Sequence, residues 1–445
     1  MTGELRADPR FPALDGIRAI AAFAVVCTHV GFNSGRSLDD GPFAPLLARL
    51  DFGVTLFFLL SGFVIYRPFV VAALNGRARP AGSNRRYLTR RAVRILPAYW
   101  VAVLVTLAVL SLRHPTGHDW WAYPLLLQTY TGGNLDPSLT QMWTLSVELS
   151  FYLLVPVAAG WAADRAAGRA AIVRRNLTLI GSMIALAVVA GALAHTVPAI
   201  GTRSLVWLPA NVDWFALGML LALISACAGR PAATAASSDA DSDAAADAAA
   251  DSEAAALPGW QPPFFTTFRT LARATGVCWA LAGLIFWFAT LPLAGPRLLL
   301  VPTGWEGFFK HSLYGLCALL LLAPLTLAPP GRLAAALSWR PIRYLGEISY
   351  GVYLWHLPLL LAIQDRLGYA TFSGHFWVLL ALTVLSTVLV ASLSWRLLEQ
   401  PLMRRVSSRY RDPSPPAVPA SAVPASAGPA SAETATASSA NSTNH

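Results

Sequence analysis

The sequence predicts an all-α fold: a polytopic membrane helical bundle of about ten transmembrane helices with both termini in the cytoplasm. Three observations predict it. The chain of 445 residues is 55% hydrophobic and only 13% charged, whereas soluble domains carry about 25% charged residues. The apolar residues gather in blocks of roughly 20, the length a helix needs to cross a bilayer. The arginines gather in alternate loops, as the cytoplasmic loops of a multi-pass protein do.

The blocks fall at about 12–32, 52–72, 90–112, 142–161, 176–197, 207–228, 271–291, 309–328, 343–364 and 374–398. Arg6 and Arg10 precede the first. Arg77, Arg79, Arg85 and Arg86 lie between the second and third, and Arg90, Arg91 and Arg94 open the third. Arg165, Arg169, Arg174 and Arg175 follow the fourth, and Arg230, Arg269 and Arg273 follow the sixth. Arg332 and Arg340 follow the eighth, and Arg404, Arg405, Arg409 and Arg411 the tenth. The remaining loops carry one or two each, and an odd number of spans would break the alternation. The net charge of +10 therefore belongs to the inner membrane surface, with lipids as partners, and not to a nucleic-acid-binding face. The expected location is the cell membrane (inner or plasma). "MTGELRADPR" leads straight into the first block without the short apolar region and small-residue site of a cleaved signal, so that block is expected to stay as an anchor.

Residues 1–11 read as a cytoplasmic N-terminus and 12–402 as the membrane domain. Two segments fall outside the bilayer. Residues 229–260 are rich in Ala, Asp and Ser, have no hydrophobic face, and read as a disordered cytoplasmic linker. Residues 403–445 repeat "PASA" and read as a disordered cytoplasmic tail. Any chemistry is therefore expected inside the bundle. Cys27, Cys227, Cys278 and Cys317 all lie in apolar blocks and read as packing residues. The histidine spacing makes no metal site, and no P-loop or dinucleotide fingerprint is present.

The first span keeps two costly polar residues. Arg18 and His29 are eleven positions apart, which at 100° per residue puts them on one helix face, ~16 Å apart along the axis. An intramembrane charge usually faces a cavity or a partner. Asp15, three residues before Arg18, is placed to be that partner. The alternative is a snorkelling arginine and a packed neutral histidine.

These residues carry a resemblance. Arg-x10-His in "FPALDGIRAIAAFAVVCTH" resembles the opening of the acyltransferase 3 family of integral-membrane O-acyltransferases, which modify surface sugars, peptidoglycan and macrolides. "FGVTLFFLLSGFVI", "RRAVRILPAYW", "MWTLSVELSFYLLVP", "GEISYGVYLWHLPLL" and "SWRLLEQP" resemble its later motifs, in order, over residues 11 to about 402. The acidic linker and the tail depart from the family without touching a motif.

The resemblance implies a donor, acyl-CoA (acetyl-CoA being the commonest), and an acceptor hydroxyl on a carbohydrate, glycoconjugate or macrolide-like molecule. The chemistry of the residues agrees with that. A hydroxyl attacks a thioester well only once a base takes its proton, and imidazole suits that task near neutral pH. His29 is the expected general base. Arg18 is expected to orient the donor, whose phosphates suit forked, permanently charged guanidinium groups. Arg91 and Arg94, one turn apart, read either as phosphate contacts or as anchors to lipid headgroups. Arg67 raises the same question more weakly. Glu148, inside the fourth span, reads as a catalytic partner that raises the basicity of His29, bonds the acceptor, or pairs with an arginine. Ser61 reads as an acyl-serine candidate or, with Gly62, as a small-residue helix contact. His356 reads as a supporting or packing histidine. Trp120, Trp121 and Tyr130 read as a sugar-stacking surface or an interfacial belt. Two rival functions remain: a proton-coupled transporter, and a relay that moves acyl groups across the membrane to a separate transferase.

Overall fold

The computed structural model describes residues 11–76, 82–112, 114–132, 135–163, 168–228, 262–297 and 302–409. The 229–260 linker and most of the tail lie outside the described residues. Helices of eight residues or more are numbered here. They are α1 (Ala13–Asn33), α2 (Gly53–Leu74), α3 (Ser83–Val105), α4 (Trp143–Ala162), α5 (Arg169–Thr196), α6 (Leu208–Cys227), α7 (Pro263–Arg273), α8 (Thr275–Thr290), α9 (Gly304–Leu327), α10 (Arg340–Glu347), α11 (Ser349–Arg366), α12 (Phe376–Ser394) and α13 (Gln400–Arg409). No strand occurs among the described residues. Sequence reading placed the start of the tail at 403; α13 carries helix on to Arg409.

Among the described residues, eight helical stretches are long and apolar enough to cross a membrane, or nine if α7 and α8 count as one span bent by 91°. The expected ninth block, 343–364, accounts for the difference from ten. It breaks at Ile348 into α10 and α11. The helix left over carries His356, Gln364, Asp365 and Arg366, and is too polar to pass on composition. It is also among the most enclosed helices: Val352, Leu354, His356 and Leu360 are fully buried. A helix surrounded by other helices does not have to match lipid, so its sequence is freed from the apolar composition of a lipid-facing span.

Glycine sets the tightest contacts. A Cβ on Gly62 would lie 2.2 Å from the Phe215 carbonyl oxygen, and one on Gly218 would lie 2.1 Å from that of Leu59. The absent side chains let α2 and α6 touch backbone to backbone, the membrane mode of helix packing. Phe58 then stacks on Phe215 at 4.6 Å, and Phe215 on Phe151 of α4 at 4.1 Å. Gly16 and Gly346 do the same where α1 meets residue 337 and where α10 meets Asp15. At the start of α9, Thr303 and Glu306 form a reciprocal capping box that satisfies end N–H groups.

One loop is fastened by a buried charge. Arg49, in the short helix Ala44–Arg49, is 3% exposed. Its guanidinium donates to the carbonyl oxygens of Ala289 (2.9 Å), Ala294 (3.1 Å), Gly295 (2.6 Å) and Pro296 (3.3 Å). Carbonyls left over where α8 ends thus satisfy a cation that lies far from them in sequence.

Candidate functional site

Helices α1, α2, α3, α4 and α11 line a recess that is partly open to the outside. Its wall brings together Arg18 of α1, Ser61 of α2, Arg91 and Arg94 of α3, Glu148 of α4, and Tyr350 and Tyr353 of α11. Five residues singled out in the sequence therefore converge, although they lie in four different spans.

The polar groups in the recess fall into two sets. Glu148 accepts a hydrogen bond from the Ser61 hydroxyl at 2.6 Å and another from the Tyr152 hydroxyl one turn on. Ser61 is thus engaged with a carboxylate, while Gly62 beside it makes the helix contact. Glu148 forms no hydrogen bond to His29 among the described residues, so the expectation that it raises the basicity of His29 finds no contact to act through. The arginines are the second set. Arg18 pairs with Asp15 at 3.0 Å, as the i, i+3 spacing predicts. Arg91 lies over the rings of Tyr87 and Tyr152, at 5.9 and 5.8 Å. Neither Arg91 nor Arg94 has a carboxylate within ion-pairing distance among the described residues. The two guanidinium groups thus share the recess with the Glu148 carboxylate without a direct ion pair to it.

Arg67 does not join them. It is 7% exposed, its Nε donates to the Ser225 hydroxyl at 3.2 Å, and its guanidinium lies 5.4 Å from the Phe11 ring centre. Arg67 is not among the residues that line the recess, and these two partners lie on α6 and before α1.

His29 sits further along α1, outside the wall of the recess, and faces α11. Its Nδ1 is 2.9 Å from the Val25 carbonyl oxygen and 3.1 Å from Nε2 of His356. His356 is fully buried, and its own Nδ1 is 2.8 Å from the Tyr353 carbonyl oxygen. Tyr353 ties the two regions together. It lines the recess, lies 5.7 Å from the His356 ring, and packs edge-on against Phe57, another wall residue. Its hydroxyl donates to the Gln141 carbonyl oxygen at 3.1 Å and accepts from Thr144 at 2.9 Å. Pro358, lacking an N–H, leaves the Leu354 carbonyl unpaired within α11, and the Gln141 side chain donates to it at 3.2 Å.

Sequence reading missed several of these residues. Tyr152 was legible in "ELSFY", four residues from Glu148 and so on the same face. Tyr350 and Tyr353 stood inside a quoted motif, but the helix that presents them packs on α1 only in three dimensions. His311 lies on α9 with Nε2 2.9 Å from both Asp213 carboxylate oxygens and its ring stacked on Trp214 at 4.0 Å. Beside it Lys310 pairs with Asp51 at 3.2 Å. Among the described residues no three His, Cys, Asp or Glu side chains gather as metal ligands would.

The family described as "acyltransferase domain" matches residues 11–226 and 256–396. The chain is 23% identical over 418 residues to the peptidoglycan O-acetyltransferase OatA of Listeria monocytogenes, covering 88% of this chain and 56% of that protein. It is 22% identical over 425 residues to the O-acetyltransferase OatA of Staphylococcus aureus, covering 89% of this chain and 58% of that one. The chain thus spans a little over half the length of the curated relatives it matches. No solved structure matches it.

Proposed function

The chain belongs to the acyltransferase-domain family of multi-pass membrane proteins, and on that premise we propose that it is an O-acyltransferase that moves an acyl group, acetyl in the simplest case, from acyl-CoA to a hydroxyl of a carbohydrate. The observation that carries the proposal is the recess in which Arg91 and Arg94 stand without a carboxylate partner, beside Arg18. A donor with several phosphates offers these arginines direct ion-pair partners, and paired forked donors hold phosphate better than a point charge does. The flexible arm of the donor then carries the thioester past Tyr353 toward His29. His29 takes the proton from the acceptor hydroxyl as it attacks the thioester carbonyl. The new C–O bond forms, the C–S bond breaks, and CoA leaves as the thiol once it regains a proton. The carbohydrate acceptor is supported by the relatives, two of which carry O-acetyltransferase in their names. The alternating arginines support a cell-membrane protein with both ends in the cytoplasm, so that the donor enters from the arginine-rich side. Membership of a transferase family weighs against the transporter reading.

The test is acetyl-CoA binding and CoA release by the purified protein in lipid nanodiscs. Arg91→Ala and Arg94→Ala are each expected to weaken acetyl-CoA binding roughly ten- to a hundredfold, the loss of a hydrogen bond to a charged group. His29→Ala is expected to bind acetyl-CoA as wild type does and to lose CoA release. Unchanged binding in both arginine variants would sink the donor site, and unchanged turnover in His29→Ala would sink the base. Ester formation on an oligosaccharide by the purified protein separates a complete transferase from an acyl relay.

A further inference from the structure

We propose that His356 is a positioning residue that holds His29 in one tautomer, with the proton on Nδ1 and the lone pair on Nε2 free for the acceptor. The inference rests on the reading of His29 as the base and deepens it.

The assignment follows from which atoms can only accept. A backbone carbonyl has no proton to give, so the nitrogen 2.9 Å from the Val25 carbonyl, Nδ1 of His29, carries a hydrogen. By the same rule Nδ1 of His356, 2.8 Å from the Tyr353 carbonyl and 3.3 Å from that of Val352, carries one too. A neutral imidazole has one N–H, so Nε2 of His356 presents a lone pair. That lone pair is 3.1 Å from Nδ1 of His29. The Nδ1–H of His29 is thus shared between a carbonyl and a second imidazole, and the chain of four groups fits together in one arrangement only. The remaining nitrogen of His29, Nε2, has no hydrogen-bond partner among the described residues.

This is the logic of a base oriented by a third group, with an imidazole where a carboxylate more often stands. The difference has a consequence for a membrane interior. A carboxylate would bring a buried charge that needs its own counter-ion. A neutral imidazole orients the base at no cost in charge, and still offers an acceptor to the N–H of His29 once Nε2 has taken the acceptor's proton. The proton cannot pass on to His356 without leaving the Nδ1 lone pair of His29 facing the Val25 carbonyl, so the carbonyls hold it in place.

The test reads the tautomer directly. Protein carrying nitrogen-15 histidine is studied in nanodiscs by solid-state NMR, with the His29 signals assigned by their absence in His29→Ala. His29 is expected as the Nδ1–H form in wild type and in His356→Gln, whose side chain can donate to the Tyr353 carbonyl and accept from His29. In His356→Leu the ratio of Nδ1–H to Nε2–H is expected to fall about fivefold, as the loss of one net hydrogen bond predicts. CoA release is expected to fall roughly tenfold in kcat at unchanged KM for acetyl-CoA, with His356→Gln restoring it. Nε2–H on His29 in wild type overturns the inference, whatever the fate of the leucine variant. A tautomer ratio in His356→Leu equal to wild type also overturns it. Full turnover in His29→Ala would instead remove the base reading and leave the tautomer result standing, so the two failures are told apart.

Discussion

Arg18 and His29 show what spacing alone can reveal about single residues. Their common face and the pairing of Arg18 with Asp15 at 3.0 Å follow from helix geometry, because every atom involved belongs to one helix. The partner of His29 was out of reach, since His356 lies 327 residues away in the chain and nothing in the periodicity of α1 points to it. Arg67 marks the opposite case. In the sequence it raises the same question as Arg91 and Arg94, yet among the described residues it contacts Ser225 and Phe11. Its role is to satisfy a packed region, so Arg67→Met is expected to leave acetyl-CoA affinity within twofold of wild type. The thermal unfolding midpoint in detergent should nonetheless fall, reflecting about 1–3 kcal/mol for the partners left behind. A tenfold loss of affinity in a stable Arg67→Met protein would return Arg67 to the donor site.

For whole helices, hydropathy located the long apolar ones, lipid-facing or enclosed, and is weakest for α11, which is both enclosed and polar. α5 and α12, mostly exposed on the outside of the bundle, were legible because lipid selects apolar side chains all around them. α11 was drawn as a span with its neighbour α10 because its middle is apolar, but it lies among other helices and keeps His356, Gln364 and Tyr353 for internal contacts. The bend between α7 and α8 was equally hidden, since the chain turns through 91° with no proline at the break. The small-residue reading of "LSGF" was correct for Gly62 and incomplete for Ser61. It leads to a prediction for the α2–α6 pair. A side chain at Gly62 meets the Phe215 carbonyl at 2.2 Å, and backbone in the middle of a helix has little room to yield. Gly62→Val is expected to cost 3 kcal/mol or more on the order of the worst overpacked cores, read as lost yield of folded protein. Gly283→Ala, on α8 where nothing lies within 4 Å, should be neutral or stabilising by about 0.5–1 kcal/mol.

The molecule as a whole separates a cationic recess from a histidine pair, with Tyr353 between them. The order of the motifs and the alternating arginines made the bundle and its family legible. The pairing of α1 with α11 was not, because it joins the two ends of the chain. Orientation remains a matter of charge: a reporter that folds only in the cytoplasm is expected to be active when fused to either terminus, and activity at one end alone would mean an odd number of crossings. The clamp on Arg49 adds a dimension of time. Its four carbonyl partners lie 240 to 247 residues further on, and a chain is made from its N-terminus onward. Arg49 must therefore wait, hydrated or held by something temporary, until α8 and the turn after it have been made. The 44–49 loop is expected to stay accessible to a water-soluble label in chains arrested before residue 289, and to become protected only once the clamp can close. The 44–49 loop thus completes its fold only after residue 296 has been made, a step that a chain truncated earlier cannot take.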